Sequence, residues 1–123
     1  MNKEEAKAKI TAEFITRYNQ WLEDKDNLPE IDYARKYPTY SERIRTLKDN
    51  FTAVAYFQSN VYNGKWKYQW VNEGYDFSDL MQLVREGFLS ITEYTNRYKH
   101  PDTARFYLSQ KTAKEIWKQD RNK

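Results

Sequence analysis

Residues 88–110 have the sequence FLSITEYTNRYKHPDTARFYLSQ, which predicts two short helices joined by a tight corner. Ser90, followed three residues later by Glu93, has the pattern of a capping box that starts a helix. Pro101 restricts the residue before it, so this first helix should end shortly before the proline. Asp102 is a favourable N-cap for a second helix, which is longer and basic. This pattern is typical of a helix-turn-helix, whose second helix can enter the major groove of DNA.

The same stretch resembles the DNA-binding helices of excisionase-type and MerR-type winged helix-turn-helix proteins. The resemblance rests on the segments Leu89–Tyr94 and Asp102–Leu108. It implies a winged helix-turn-helix that binds duplex DNA. Two packed helices without any role in DNA binding are the alternative interpretation.

The composition favours one compact domain in a reducing compartment. A length of 123 residues is typical of a single domain, and 11 Tyr, 6 Phe and 4 Trp must supply much of its core. The absence of Cys excludes disulfides and cysteine-ligated zinc. The charged N-terminus lacks the apolar stretch of a signal peptide, and no apolar run approaches the roughly 20 residues of a membrane span. We therefore expect a cytoplasmic protein that does not insert into a membrane.

Basic charge is concentrated at the C-terminal end of the chain. From Arg97 to Lys123, eight basic and three acidic residues give a net charge of +5. The remaining residues contain thirteen basic and fifteen acidic side chains, which give −2. This distribution favours a polyanionic partner, which basic residues bind through phosphate contacts and counterion release. A solvated C-terminal helix is the alternative.

A second helix–corner–helix pattern occurs nearer the N-terminus. Pro29–Tyr37 predicts a short helix that Pro38 ends, and Ser41 can cap the helix that follows. At a constant offset of 61 residues, four positions are identical in the two patterns: Leu28 and Leu89, Tyr33 and Tyr94, Tyr37 and Tyr98, Leu47 and Leu108. We infer an internal duplication, with residues 1–62 as the N-terminal unit and 63–123 as the C-terminal unit of one compact domain.

The dipeptide Asn63-Gly64 predicts a β-hairpin with a type I′ turn. Around this turn, the residues that would pair on the apolar face are Val61 with Trp66, Ser59 with Tyr68 and Phe57 with Trp70. The hairpin could be a wing from which Lys65 and Lys67 contact DNA. It could equally be a central sheet between the two units, without any contact to nucleic acid.

Two further helices are predicted from periodicity. Lys3–Asp24 places Ile10, Phe14, Tyr18 and Trp21 at helical spacing on one face. A helix from Ser78 to Arg85 should bury Leu80, Leu83 and Val84 and end at Gly87. The predicted fold class is therefore α+β and mostly helical, with two winged helix-turn-helix-like units, forming an internal pseudo-dimer, around a small antiparallel β-hairpin or sheet.

This arrangement resembles the TraN-type family of small DNA-binding accessory proteins of Gram-positive conjugative plasmids. The resemblance rests on the length, on the paired motifs Tyr33–Leu47 and Tyr94–Leu108, and on the hairpin at Asn63-Gly64. It implies binding of double-stranded DNA near a transfer origin and a role in type IV secretion, with relaxosome or secretion-system proteins as further partners. A monomer acting as a pseudo-dimer would contact two half-sites.

The candidate DNA contacts are basic and polar residues at the two corners, in the hairpin and on the last helix. An Arg at the start of a recognition helix can bond guanine through two hydrogen bonds, whereas lysines further along contact phosphate. The predicted DNA-binding residues are Tyr40, Ser41, Arg43, Arg45, Lys48, Lys65, Lys67, Lys99, His100, Thr103, Arg105, Lys111 and Lys114. For Tyr33, Tyr37, Tyr94 and Tyr98, the four-residue spacing favours core packing instead.

The sequence contains no recognisable catalytic motif. It has one His, three glycines that form no phosphate-binding loop, and no paired carboxylates. We therefore expect no enzymatic activity, no metal and no cofactor. The alternative function is that of a small phage- or plasmid-encoded inhibitor, which would bind a host protein through exposed Trp and Tyr side chains.

Overall fold

The computed structural model describes residues 1–37, 42–62, 64–92 and 104–123, and it has the predicted mostly helical α+β class. The N-terminal elements are helices α1 (Lys3–Asn27), α2 (Glu30–Lys36), α3 (Glu42–Arg45) and α4 (Phe51–Tyr56), and a π-helical turn (Phe57–Val61) continues α4. Strand β1 (Lys65–Trp66) and helices α5 (Lys67–Asn72) and α6 (Phe77–Arg85) follow. Strands β2 (Leu89–Thr92) and β3 (Arg105–Leu108) and helix α7 (Gln110–Arg121) complete the described chain.

Helix α1 supplies the centre of the core, as its periodicity predicts. Ile10, Phe14, Tyr18 and Trp21 are each no more than 2% exposed. Such four- and three-residue spacing places side chains on one face of a helix. Helices α6 and α7 both pack against α1, so this apolar face holds the later elements together.

Tyr33, in α2, and Tyr37, the C-cap of α2, are buried as predicted. Tyr33 is 1% exposed and Tyr37 is 9% exposed. The hydroxyl of Tyr33 accepts a hydrogen bond of 3.0 Å from the indole nitrogen of Trp21, which satisfies both buried polar groups. Helix α2 is thereby fixed against the second half of α1.

The three strands form one antiparallel sheet in the order β1-β3-β2. In the register of β2 with β3, Leu89 lies opposite Leu108 and Ile91 lies opposite Phe106. Phe106 and Leu108 are buried, whereas Arg105 and Tyr107, which alternate with them, are half-buried. This period of two is that of a strand with one face on the core.

The helix-turn-helix predicted within residues 88–110 is wrong where the structure describes it. The segments Leu89–Thr92 and Arg105–Leu108 are paired strands, not helices. Ser90 pairs with Tyr107 in the ladder and caps no helix there. The predicted corner lies outside the described residues. So do the predicted end of the first helix before Pro101 and the predicted N-cap Asp102. Alternating burial in two short segments explains the difference, because long-range pairing outweighs a local capping pattern.

The hairpin predicted around Asn63-Gly64 is also wrong. Its first arm is the π-helical turn Phe57–Val61, and most of its second arm lies in helix α5. Strand β1 pairs with β3 instead. Gly64 is needed for a different reason: a Cβ there would lie 2.8 Å from the carbonyl oxygen of Phe106. The glycine permits close approach of two backbones rather than a tight turn.

The described elements do not repeat at an offset of 61 residues. Helix α2 would correspond to residues 91–97, where strand β2 ends, and Leu47, which follows α3 outside any helix or strand, would correspond to Leu108 in β3. The internal pseudo-dimer therefore finds no counterpart in these elements. The division between residues 62 and 63 stays a prediction. Within the described ranges, no helix is both long and apolar enough to cross a membrane.

Candidate nucleic-acid interface

Helices α5 and α6 are joined by a tight turn at residues 73–76. Gly74 has φ +97°, which a glycine adopts without strain, and Asp76 caps α6 by accepting a 2.9 Å bond from the amide of Ser78. The rings of Trp70 and Tyr75 meet edge to face at 5.0 Å. The Trp70 indole also donates to the carbonyl oxygen of Phe106 at 3.3 Å, so the sheet fixes the end of α5. These contacts set the angle between the two helices.

Helix α6 has an apolar inner face and a polar outer face. Leu80 and Leu83 are fully buried. Ser78, Gln82 and Arg85 are exposed on the opposite side, four and three residues apart. Among the residues that the structure describes, no hydrogen bond or ion pair holds the Gln82 or Arg85 side chain. The outer face therefore presents an amide and a guanidinium that are available to a partner.

The β2–β3 hairpin and α7 are tied to the end of α6. Gly87 follows α6 with φ +80°, and the chain then enters β2. The hydroxyl of Ser109, after β3, donates to the Gly87 carbonyl oxygen at 2.7 Å. The same hydroxyl accepts from the amide of Thr112 and so caps α7. One serine thus joins the end of α6, the hairpin and the start of α7.

The N-terminal half of α1 contacts the α5–α6 pair at its turn and at its end. Lys3 and Lys7 form ion pairs of 2.7 and 3.3 Å with Glu86, just after α6. The hydrogen bond from Lys3 lowers the pKa of the Glu86 carboxyl. The ammonium of Lys9 lies 3.3 Å from the carbonyl oxygen of Glu73, in the turn. Helix α1 therefore supports the pair without covering the outer face of α6.

Two predicted contacts belong to α3 and the segment after it, outside α5 and α6. The guanidinium of Arg45 donates to the carbonyl oxygens of Lys25 and Leu28 and lies 5.5 Å from the centroid of the Tyr33 ring. These bonds satisfy carbonyl groups at the end of α1, which gives Arg45 a structural role. Lys48 is exposed in the segment before α4.

Of two predicted lysines near Trp66, Lys65 is the first residue of strand β1 and Lys67 follows the strand. Lys65 forms ion pairs with Glu13 at 3.2 Å and with Glu73 at 2.8 Å, so its charge is already compensated. Lys67 is the first residue of α5, and its ammonium lies 4.2 Å from the centroid of the Phe77 ring. Of the two, Lys67 is nearer to the start of α6.

Arg105, on β3, is held by neighbouring backbone and a ring. Its guanidinium donates to the carbonyl oxygen of Gly64 at 2.8 Å and lies 5.2 Å from the centroid of Trp66. Its Nε is buried without a hydrogen-bond partner. These contacts fix Arg105 within the sheet, whereas the prediction placed it on a recognition helix.

The remaining predicted residues fall into two groups. On α7, Lys111 is exposed, and the ammonium of Lys114 lies 4.2 Å from the centroid of the Phe51 ring. The structure thus brings Lys65, Lys67 and Arg105 together around β1, but it places Arg45 and the α7 lysines elsewhere. For Arg43, in α3, only the backbone is described. Five predicted residues lie outside the described part of the chain: Tyr40, Ser41, Lys99, His100 and Thr103.

Comparison of this chain with protein-family models, with curated proteins and with solved structures finds no match. The geometry of the molecule must therefore carry any functional assignment. In the described ranges, no group of three or more His, Asp or Glu side chains is placed to hold a metal ion.

Sequence reasoning missed the exposed face of α6. The helix from Ser78 to Arg85 and its buried leucines were predicted, so the opposite face with Gln82 could have been derived from the same periodicity. The stretch from Glu73 to Asp76 was assigned as a loop, but its glycine and its capping aspartate also fit the corner between two helices. The capping pattern of Ser90 and Glu93 is the stronger local signal, and it favours a helix-turn-helix further along the chain.

Proposed function

We propose that residues 51–108 form one winged helix-turn-helix that binds double-stranded DNA. The supporting connectivity is helix α4, strand β1, helix α5, a tight turn, helix α6 and the β2–β3 hairpin, with β3 between β1 and β2. In this arrangement α6 is the recognition helix and the paired strands β2 and β3 are the wing. A single unit replaces the two that the sequence predicted.

The observation that carries the proposal is the polar outer face of α6. Along an α-helix, the seven residue-to-residue steps from Ser78 to Arg85 span about 10 Å, which corresponds to roughly three base-pair steps. The amide of Gln82 matches the two groups that adenine presents in the major groove, and the guanidinium of Arg85 matches those of guanine. The face therefore has the length and the chemistry for contacts to base edges.

A phosphate contact can come from the start of α5. Lys67 begins α5 and its ammonium lies 4.2 Å from the centroid of the Phe77 ring, at the start of α6, and Tyr68 beside it is 57% exposed. The sequence between β2 and β3 contains Arg97, Lys99 and His100, which lie outside the described residues. Of these, Lys99 and His100 stay predicted DNA contacts from the sequence.

Fluorescence anisotropy with duplexes selected from a random library tests the proposal. The wild type should bind, and its affinity should fall steeply as salt rises from about 50 to about 200 mM. Arg85→Ala should weaken binding by about 10- to 100-fold, because a bidentate base contact is worth about 1–3 kcal/mol. Arg35→Ala, at an exposed arginine of α2, is the matched control and should change little. Failure of the wild type to bind any duplex at low salt would contradict the proposal.

A second candidate is binding to a protein partner. Helix α5 exposes Tyr68 by 57% and Val71 by 45%, three residues apart on one face. Exposed aromatic side chains of this kind form hot spots in protein interfaces. This candidate predicts that the chain captures a protein partner even after nuclease treatment, and that Tyr68→Ser abolishes the capture. Such a result, together with no binding to duplex DNA, would favour this candidate.

The narrower role in conjugative transfer stays a prediction. It follows from the family resemblance, which depended on a central hairpin and on paired units. The single unit proposed here supports duplex DNA as the partner, but it contains nothing that selects a transfer origin. Binding to a defined DNA site by footprinting would supply that information.

A further inference from the structure

A cavity of about 280 Å³ lies between α1, α2 and the π-helical turn, away from α6. We propose that it binds a small aromatic monoanion of the benzoate class. Its apolar lining comes from Tyr37, Phe57 and Val61, and its polar lining includes Arg17 and Lys36. The inference is independent of DNA binding, because none of these residues belongs to the proposed recognition helix.

A buried carboxylate orders one wall of the cavity in advance. Asp24 is 6% exposed and accepts hydrogen bonds from Gln20 at 2.9 Å, Lys36 at 2.6 Å and Tyr37 at 2.5 Å. Burial acts to raise the pKa of Asp24, but these bonds outweigh it and hold the pKa below its usual range. All three donors line the cavity. Their positions are therefore fixed before a ligand arrives, which reduces the entropic cost of binding.

The charges around the cavity leave one cation uncompensated. The ion pair with Asp24 cancels the charge of Lys36. Arg17 forms no ion pair with any carboxylate of the described residues; its guanidinium lies 5.0 Å from the centroid of the Tyr62 ring. A guanidinium binds a carboxylate through two parallel hydrogen bonds. The balance of one free positive charge matches a ligand with a single negative charge.

The π-helical turn is a second and independent observation. Its defining bond runs from the amide of Tyr62 to the carbonyl oxygen of Phe57 at 2.8 Å. The side-chain amide of Asn60 donates to the Tyr56 carbonyl oxygen at 3.3 Å, and so partly satisfies the widened ladder. Asn60 and Val61 both line the cavity. Single π turns are rare and frequently occur at functional sites.

The size and lining of the cavity decide between classes of anion. Ligand pockets for drug-sized molecules range from about 300 to 1,000 Å³, so this cavity suits a ligand with about one ring. Phe57 and Val61 offer apolar contact to a ring, which inorganic phosphate or acetate cannot use. Together with the free charge of Arg17, this selects an aromatic carboxylate over both smaller anions.

Isothermal titration calorimetry with benzoate tests the proposal. Titration up to about 20 mM detects dissociation constants in the millimolar range. Wild type and Arg35→Gln should bind equally, whereas Arg17→Gln should bind at least about tenfold more weakly. Benzamide, which is neutral, should bind no variant measurably. Equal binding by wild type and Arg17→Gln, or no heat from benzoate with the wild type, would overturn the proposal.

Nuclear magnetic resonance of the wild type gives an answer even if Arg17→Gln fails to fold. Benzoate should shift the amide resonances of Asn60 and Val61, and acetate at the same concentration should not. Resonances of strand β2, which contributes no residue to the cavity lining, should stay unchanged. Equal shifts with benzoate and acetate, or shifts spread over the whole chain, would reject a site for an aromatic anion.

Discussion

Replacement of Asp49 by alanine is expected to remove a hydrogen-bonding centre that joins three parts of the chain. The carboxylate of Asp49, in the segment before α4, accepts from the hydroxyl of Tyr18 on α1 at 2.8 Å. It also accepts two hydrogen bonds from α7, from the indole nitrogen of Trp117 at 2.7 Å and from the Nε of Arg121 at 2.6 Å. Alanine would leave all three donors without this acceptor.

The expected loss of stability is about 3 kcal/mol. Tyr18 is 2% exposed, and an unpaired buried hydroxyl costs about 1–3 kcal/mol. The side chains of Asp49 and Arg121 are 34% and 29% exposed, so solvent screens that ion pair and it contributes about 1 kcal/mol or less. Asp49→Asn retains an acceptor oxygen but not the charge, and it should cost about half as much.

Urea unfolding at pH 7, followed by far-UV circular dichroism, measures these differences. Glu115→Gln removes one carboxylate from the exposed side of α7 and serves as the control, with an expected change within about 0.5 kcal/mol. A loss below about 1 kcal/mol for Asp49→Ala would refute the assignment of Asp49 as a centre of stability.

The stability difference between wild type and Asp49→Asn should depend on pH in one direction. Burial acts to raise the pKa of Asp49, but the bonds from Arg121, Trp117 and Tyr18 outweigh it and lower the pKa. A depressed folded pKa adds stability above the unfolded value of about 3.9, and this stability is lost as pH falls through the folded pKa. The difference should therefore be constant from about pH 5 to 7 and shrink below about pH 4. A difference that grows on acidification would contradict the sign.

Three further substitutions separate packing from hydrogen bonding, each measured by urea unfolding. Gly64→Ala would place a Cβ 2.8 Å from the Phe106 carbonyl oxygen and should cost about 1–3 kcal/mol; an unchanged midpoint would show that the strands can separate. Burial raises the pKa of Tyr75 to about 12, and its buried hydroxyl has no hydrogen-bond partner, so Tyr75→Phe should leave stability unchanged or slightly higher. A loss above about 1 kcal/mol would reveal a missing partner. Gln58→Leu removes the 2.6 Å bond to the carbonyl oxygen of Leu108 and should cost about 1–2 kcal/mol; an unchanged free energy of unfolding would contradict a stabilising role for this bond.

Long periodic segments of this chain could be predicted from its sequence. The predicted helix Lys3–Asp24 corresponds to α1, which continues to Asn27, and the predicted helix Ser78–Arg85 corresponds to α6. In both, the apolar spacing identified the buried face, because a regular helix commits each side chain to one direction. The observed helix boundaries differ from the predicted ones by a few residues. For α6, both Asp76 and Ser78 can act as the N-cap, and the structure has Asp76 in that position.

The short strands and the candidate site could not be predicted in the same way. Strands β2 and β3 contain four residues each, and their pairing depends on chain segments separated by more than ten residues. Ser90 and Glu93 form a capping pattern, which is a stronger local signal than the apolar–polar alternation of a four-residue strand. The periodicity of Ser78–Arg85 gives the polar face of α6, but whether the rest of the fold leaves this face uncovered depends on where β2 and α1 pack.

The π-helical turn has a consequence for chain length. Between Phe57 and Tyr62 the hydrogen-bonded ring contains one residue more than an α-helical ring would. Deletion of Asn60 would let the backbone close an ordinary α-helical turn, and the later side chains would keep their directions because the wide turn absorbs one extra residue. The ring of Tyr62, now 5.1 Å from that of Phe14, would then stay in the core. Deletion of one residue from α4 itself would instead rotate the later side chains by about 100° about the helix axis, and it should be far more damaging.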